Sequence, residues 1–289
     1  MKLERHTIKT EEVLGWQGLH LLNFAQSSCS QKVRVLLAEK GIDYRSHEID
    51  LKKLEHATPW FLGLNPRGVV PVLVHDGDVH IESNDILAYI EKTFPSASSW
   101  LPETAQERYE THDLMQLEAR LHDHLRAITM GFLAPRKLMA KSDPELEAYR
   151  ANGPDNAYRD QQIAWWRDFG SHGVSEVEAQ RAIAAFEDAF AQLNARLEGH
   201  GFLIADHPTL ADISWFISVH RLAIAGYKLE RHPWLTEWYA ALLRRTAFRK
   251  EIAKAPLSMR IAGPLYRLSR RWRGTDLGPL CKAPVTAPA

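Results

Sequence analysis

The chain has 289 residues, 36 Lys plus Arg against 36 Asp plus Glu, and 45% hydrophobic residues. That length is enough for one large or two modest cores, and the balanced charge excludes a global pull toward nucleic acid. The two cysteines, Cys29 and Cys281, exclude a disulfide framework. The polar N-terminus and the lack of any run of membrane-spanning length point to a cytoplasmic protein with no membrane span.

Gly18 to Phe24 reads as a short strand. From Ser30 the apolar positions Val33, Leu36 and Leu37 recur at helical spacing and stop at Gly41. Tyr44 to Leu51 is a second strand, and Leu54 to Leu62 a short irregular helix. Val69 to His75 is a β-branched run joined through an Asp76-Gly77-Asp78 turn to a partner strand, Val79 to Ile81. An amphipathic helix with Ile86, Leu87 and Ile90 on one face runs from Glu82-Ser83 to Phe94-Pro95. The order βαβαββα predicts an α/β thioredoxin-like domain over residues 18–95.

Pro95 to Pro102 reads as a linker containing Ser96, Ser98 and Ser99. Beyond it, helices are predicted over Thr104–Leu133, Asp155–Phe169, Ser175–Leu197, Thr209–Ala225 and Trp234–Lys254, an all-α bundle over residues 103–256. A basic C-terminal extension, 257–289, surrounds Ile261, Leu265, Tyr266, Leu268 and Trp272 with Arg260, Arg267, Arg270, Arg271 and Arg273. It is expected to pack across the protein and end in a disordered Ala-Pro-rich stretch; contact with an anionic surface or a partner is the alternative.

Three short segments can carry chemistry. Ser27, Ser28, Cys29 and Ser30 lie where a strand becomes a helix. Unpaired N–H groups and the helix dipole there favour negative charge, such as a thiolate. Ser28 as a plain N-cap is the alternative. Pro71 opens a strand, and a cis Val70–Pro71 bond would free the backbone of Val70 for a ligand's peptide groups; an ordinary edge-strand proline is the alternative. At Glu82-Ser83, Glu82 can accept from an ammonium, while Ser83, read as an N-cap, and nearby N–H groups hold a carboxylate. Together the three describe a pocket for a short peptide thiol. No His-Glu-x-x-His occurs, and His122 and His124 point to different helix faces, so no metal site is predicted.

The runs Ser-Ser-Cys-Ser-Gln-Lys-Val-Arg, Asn-Pro-Arg-Gly-Val-Val-Pro-Val-Leu and Glu-Ser-Asn-Asp-Ile, with Thr209-Leu-Ala-Asp-Ile213 in the bundle, resemble the glutathione S-transferase family. The resemblance covers about His20 to Lys254. It implies glutathione as cofactor, a homodimer, and a small hydrophobic electrophile bound between the domains, with Tyr109, His112, Met115 and Gln116 as lining candidates. Ser27 takes the position of the family's thiol-activating residue. His56, Val70, Pro71, Glu82 and Ser83 take those of the glutathione binders.

The serine-rich start is similar to the zeta class, which includes maleylacetoacetate isomerase. The stretch His56 to Gly77 is similar to bacterial transferases that include the lignin β-aryl-etherases, and Glu82 replaces the glutamine usual in the zeta class. The chain is therefore expected to be a glutathione transferase of etherase-like type. The alternatives are a glutathione-dependent isomerase, reductase chemistry at Cys29, and a non-catalytic interaction module that keeps only the fold.

Overall fold

The computed structural model describes residues 1–95, 99–152, 157–254 and 257–281, with the side chains of 257–261 excluded. Ser96 and Ser98 of the linker, the predicted helix start at Asp155 and the Ala-Pro-rich terminus lie outside the described residues. The strands are β1 (Leu19–Asn23), β2 (Arg45–Glu48), β3 (Val72–His75) and β4 (Asp78–His80). The helices are α1 (Ser28–Glu39), α2 (Pro59–Leu62), α3 (Ser83–Thr93), α4 (Ala105–Arg120), α5 (His122–Phe132), α6 (Arg136–Met139), α7 (Asp143–Ala151) and α8 (Ala157–His172). Then follow α9 (Glu176–Arg196), α10 (Leu210–Ala225), α11 (Pro233–Arg244), α12 (Thr246–Ile252), α13 (Leu257–Trp272) and α14 (Leu277–Leu280).

Two compact units divide the chain, and neither is a continuous stretch. The first takes residues 1–94 with 139–172, the second 95–138 with 173–289. The boundary at 94/95 falls at the start of the predicted linker, while 139–172, expected in the bundle, clusters with the first unit. Its reason is a local core in which Leu146, Tyr149 and Ile163 bury against Leu54, Ala57 and Leu62. At about 1.5–3 kcal/mol per fully buried large apolar side chain, those three residues hold the segment there.

In the first unit the sheet order is β2-β1-β3-β4, with β1 parallel to β2 and antiparallel to β3, and β4 antiparallel to β3. The elements follow one another along the chain in the predicted βαβαββα order of a thioredoxin-like domain. The core gathers Leu22, Val72, Val74, Val79 and Ile81 with Phe61 and Leu64. α1 and α3 pack together, α1 burying Val33, Val35, Leu36 and Leu37. The β3–β4 turn has Asp76 at φ 49° and Gly77 at φ 79°. A Cβ on Gly77 would meet the Leu14 carbonyl oxygen at 2.2 Å, so only glycine fits there.

The second unit is helical, as expected. Its centre is α10, which packs against α4 and α5, with α9 packed on α5. The Thr209/Asp212 capping box starts α10, and Asp212 also accepts from the Leu203 amide (3.1 Å) and Trp238 Nε1 (2.7 Å). Two predicted helices are broken: Thr104–Leu133 at Leu121, between α4 and α5, and Trp234–Lys254 at Arg245, between α11 and α12. The described part of the extension, 257–281, is helical. It forms α13, and α14 then returns with Leu277 fully buried against α9.

Candidate functional site

The sheet register brings the three predicted segments together. Leu22 of β1 lies opposite Val72 of β3, so the chain leaving β1 toward Ser27 runs beside Val70–Pro71. Leu73 lies opposite His80 of β4, so Glu82 falls across from Pro71 on the other side. With strands about 4.8 Å apart, the ends of β1 and β4 and the entry to β3 share one end of the sheet. β2 runs parallel to β1, so its continuation toward His56 leaves from the same end.

At that end Ser27, not Ser28, is the N-cap of α1: its Oγ accepts the Ser30 amide at 3.3 Å. Ser28 is the first helical residue, so the alternative of Ser28 as a plain N-cap does not hold. A hydroxyl that accepts in a cap still carries its own proton, so Ser27 remains a donor. Cys29 is half-buried and in no disulfide. Ser30 is fully buried, and its Oγ accepts from the Phe24 amide at 3.4 Å, bracing the turn from inside.

That turn has a second brace, which the sequence reading overlooked. The buried Arg34 guanidinium donates to Asn23 Oδ1, to the Phe24 carbonyl at 3.2 Å and to the Ala25 carbonyl at 2.8 Å. A cation in the second turn of α1 thus fixes the carbonyls of 24–25. The pairing of Asn23 and Arg34 across the strand–helix junction was the available signal.

Val70–Pro71 is cis, so of the two readings of the strand-entry proline the ordinary edge-strand one does not hold. The preceding loop is held by buried Asn65, whose Nδ2 donates to the Val69 carbonyl at 2.8 Å and whose Oδ1 accepts the Arg67 amide at 3.2 Å. Gly68 sits at φ 63°, where a Cβ would meet Tyr149 Oη at 2.8 Å.

Glu82 is the N-cap of α3 at φ 65° and ψ 114°, with no side-chain cap. Ser83, expected as the cap, is instead the first helical residue; the first amides of α3 therefore lack a hydroxyl from the capping position. The Glu82 carboxylate pairs with the Arg67 guanidinium, which lies 4.4 Å from the centre of the Tyr158 ring. Burial works against the Arg67 charge, but Glu82 and Tyr158 outweigh it and hold its pKa above the usual arginine value.

His56 is buried, with the Tyr149 ring edge-on at 5.7 Å, and its Nδ1 has no hydrogen-bond partner. Burial, and then the charge of Lys141, push its pKa down to about 3. It is therefore a neutral imidazole at physiological pH. The neighbouring backbone is tied to the 139–172 segment by Lys141 Nζ donating to the Leu51 carbonyl (3.0 Å) and Asn152 Nδ2 to the Ala57 carbonyl (3.0 Å).

In the second unit Met115 is buried and Tyr109 is exposed. Among the described residues no group of three or more His, Cys, Asp or Glu is placed to hold a metal ion. No helix there is long and apolar enough to cross a membrane.

A mixed four-stranded sheet carrying these segments at one end, with a helical second unit, defines a thioredoxin-like two-domain class. Within it, the glutathione S-transferase N-terminal domain model matches residues 26–93 and the C-terminal domain model residues 176–241. Protein LigF from Sphingobium sp. is 29% identical over 250 residues, 82% of this chain and 94% of LigF. The crystal structure of beta-etherase LigF superposes with a TM-score of 0.72 at 26% identity, covering 83% of this chain and 100% of that one. Glutathione S-transferase 1 from Dianthus caryophyllus is 46% identical over 92 residues, 32% of this chain and only 41% of that protein. A zeta-class glutathione S-transferase from Euphorbia esula is 46% identical over 77 residues, 27% of this chain and 34% of that protein. The chain belongs to the glutathione S-transferase family, a family of enzymes. α7 and α8 fall between the two matched regions.

Proposed function

We propose that this chain is a glutathione transferase that ionises the glutathione thiol beside Ser27 for attack on a hydrophobic, aromatic electrophile. The observation that carries this reading is the gathering of Ser27, Val70–Pro71 and Glu82–Ser83 at one end of three neighbouring strands. The residues suit a tripeptide thiol. The uncapped first amides of α3 suit its α-carboxylate, and the free valences of the Glu82 carboxylate suit its ammonium. The orphan His56 Nδ1 offers a neutral hydrogen-bonding group for the glycine end.

When bound, glutathione supplies a sulfur nucleophile that forms a carbon–sulfur bond as an aryloxide or halide leaves, or as it adds to a conjugated system. The protein's part is electrostatic. An ordinary thiol, of pKa about 8.5, is only a few per cent ionised at pH 7, and lowering that by two units requires about 2.7 kcal/mol. One charge-assisted hydrogen bond from Ser27, about 1.5–3 kcal/mol, together with the N-terminus of α1 supplies this. Arg34 and Ser30 hold the turn so that neither donor must reorganise.

Cleavage of a β-aryl ether is the reaction we assign first, because LigF, a beta-etherase, aligns along nearly its whole length. The zeta-class likeness, over 77 residues, supports the glutathione-binding end alone. A homodimer is proposed with it, to be read by light scattering. The test is retention of the full chain on immobilised glutathione, followed by turnover of chromogenic aryl ethers, aryl halides and maleylacetone. Release of aryloxide with glutathione consumed is expected. Turnover of maleylacetone alone would move the protein to the isomerases; neither retention nor turnover would leave an interaction module.

A further inference from the structure

α13 is a fixed element that carries an apolar stripe unpartnered among the described residues. Its inner side is tied down by Arg270, which donates to the Gly131 carbonyl at 2.6 Å and, through Nε, to the Thr275 carbonyl at 2.9 Å. The same guanidinium lies 4.6 Å from the centre of the Phe132 ring. Beyond α13, buried Leu277 and the Cys281 carbonyl, which accepts from Arg231 at 3.1 Å, hold the chain to the second unit.

Leu265, Leu268 and Trp272 face the other way. They are 61%, 64% and 88% exposed and spaced i, i+3, i+7, one stripe of a helix. Exposed Arg271 lies on one flank of the stripe at helical geometry, and exposed Arg273 follows directly after the helix end. Residues 257–275 carry five arginines and no Asp or Glu, within a chain of zero net charge.

We propose that this face of α13 docks on an anionic lipid bilayer, lying in the interface with Leu265, Leu268 and Trp272 inserted and Arg271 and Arg273 on the headgroups. A rigid helix with a basic border, a tryptophan and two leucines is what an interfacial helix requires. Charge decides against pairing of α13 with its own twin in a second copy, since a stripe bordered by arginines finds no acidic residue there to receive them. The inference is independent of the proposed chemistry, because it uses none of the residues at the sheet end.

Flotation of the full chain with phosphatidylcholine vesicles, with and without phosphatidylglycerol, tests it. Binding is expected only with phosphatidylglycerol present, and is expected to weaken with added salt. The double variant Leu268→Glu/Trp272→Glu should lose binding while its circular dichroism stays unchanged. Arg271→Glu and Arg273→Glu should each weaken it about fivefold or more. No binding to phosphatidylglycerol vesicles, or equal binding by the Leu268/Trp272 variant, would overturn the proposal. So would a change of oligomeric state in that variant, which would assign the face to self-association. Retention on polyglutamate without vesicle binding would assign it to an acidic protein instead.

Discussion

The guanidinium of Arg67 lies 4.4 Å from the centre of the Tyr158 ring while pairing with the Glu82 carboxylate. Tyr158 belongs to α8, outside both matched family regions, yet it backs the residue that orients Glu82. Tyr158→Ala removes a cation–π contact of about 1 kcal/mol. The expected result is about a fivefold rise in KM for glutathione with kcat little changed. Steady-state kinetics with glutathione varied checks it, and an equal fall in kcat would count against a positioning role.

Ser27 is the observed cap of α1 and the proposed thiolate donor, so its substitutions must separate the two. Ser27→Ala should cost about 1 kcal/mol of stability through the cap. It should also lower kcat/KM by roughly 10- to 100-fold through the lost charge-assisted bond. Ser27→Thr keeps both functions. Ser27→Asp keeps the cap but sets a carboxylate against the thiolate, so it should melt normally and turn over nothing. Cys29→Ala should conjugate at the wild-type rate; if it were dead while Ser27→Ala stayed active, the chemistry would belong to the cysteine. Ultraviolet titration of bound glutathione should place the thiol pKa about 1–2 units higher in Ser27→Ala.

His56 makes the first unit acid-sensitive. Its folded pKa of about 3 lies below the unfolded value of 6.5, so the unfolded chain binds the proton more readily. The stability held above pH 6.5 is therefore lost as pH falls toward 3. From pH 7 to 5 this one residue accounts for about 2 kcal/mol. Urea unfolding of the wild type and His56→Gln at both pH values should show that loss shrinking in the variant.

Asp212 is fully buried and receives the amides of Thr209 and Leu203, the Thr209 hydroxyl and the Trp238 indole N–H. Asp212→Ala strands those donors, at about 3 kcal/mol or more. Calorimetry should show a fall of roughly 10 °C in Tm. Asp212→Asn, which keeps one acceptor oxygen, should fall less.

The sheet and the segments of the candidate site were legible because their signals are local: a polar run before helical spacing, an Asp-Gly turn, a proline at a strand entry. The exact cap of α1 was less so, since Ser27, Ser28 and Ser30 are all cap-competent and only the backbone at Ser27 decides among them. The breaks at Leu121 and Arg245 carry no glycine or proline to mark them. α7 was missed although Ser142 and Glu145 form a capping box with Pro144 just inside the helix. α13 contains Gly263 and Pro264, which argue against a helix by local propensity. Tyr149 and Tyr158 reach the site from more than 80 and 90 positions away from Arg67, a distance that periodicity does not bridge.

Because residues 139–172 complete the first unit, synthesis delivers its parts out of order. A ribosome that has released the sheet and α3 still holds the helices that cover Leu54, Ala57 and Leu62. A fragment cut at the linker would leave that apolar surface wet, so residues 1–94 are not an excisable module.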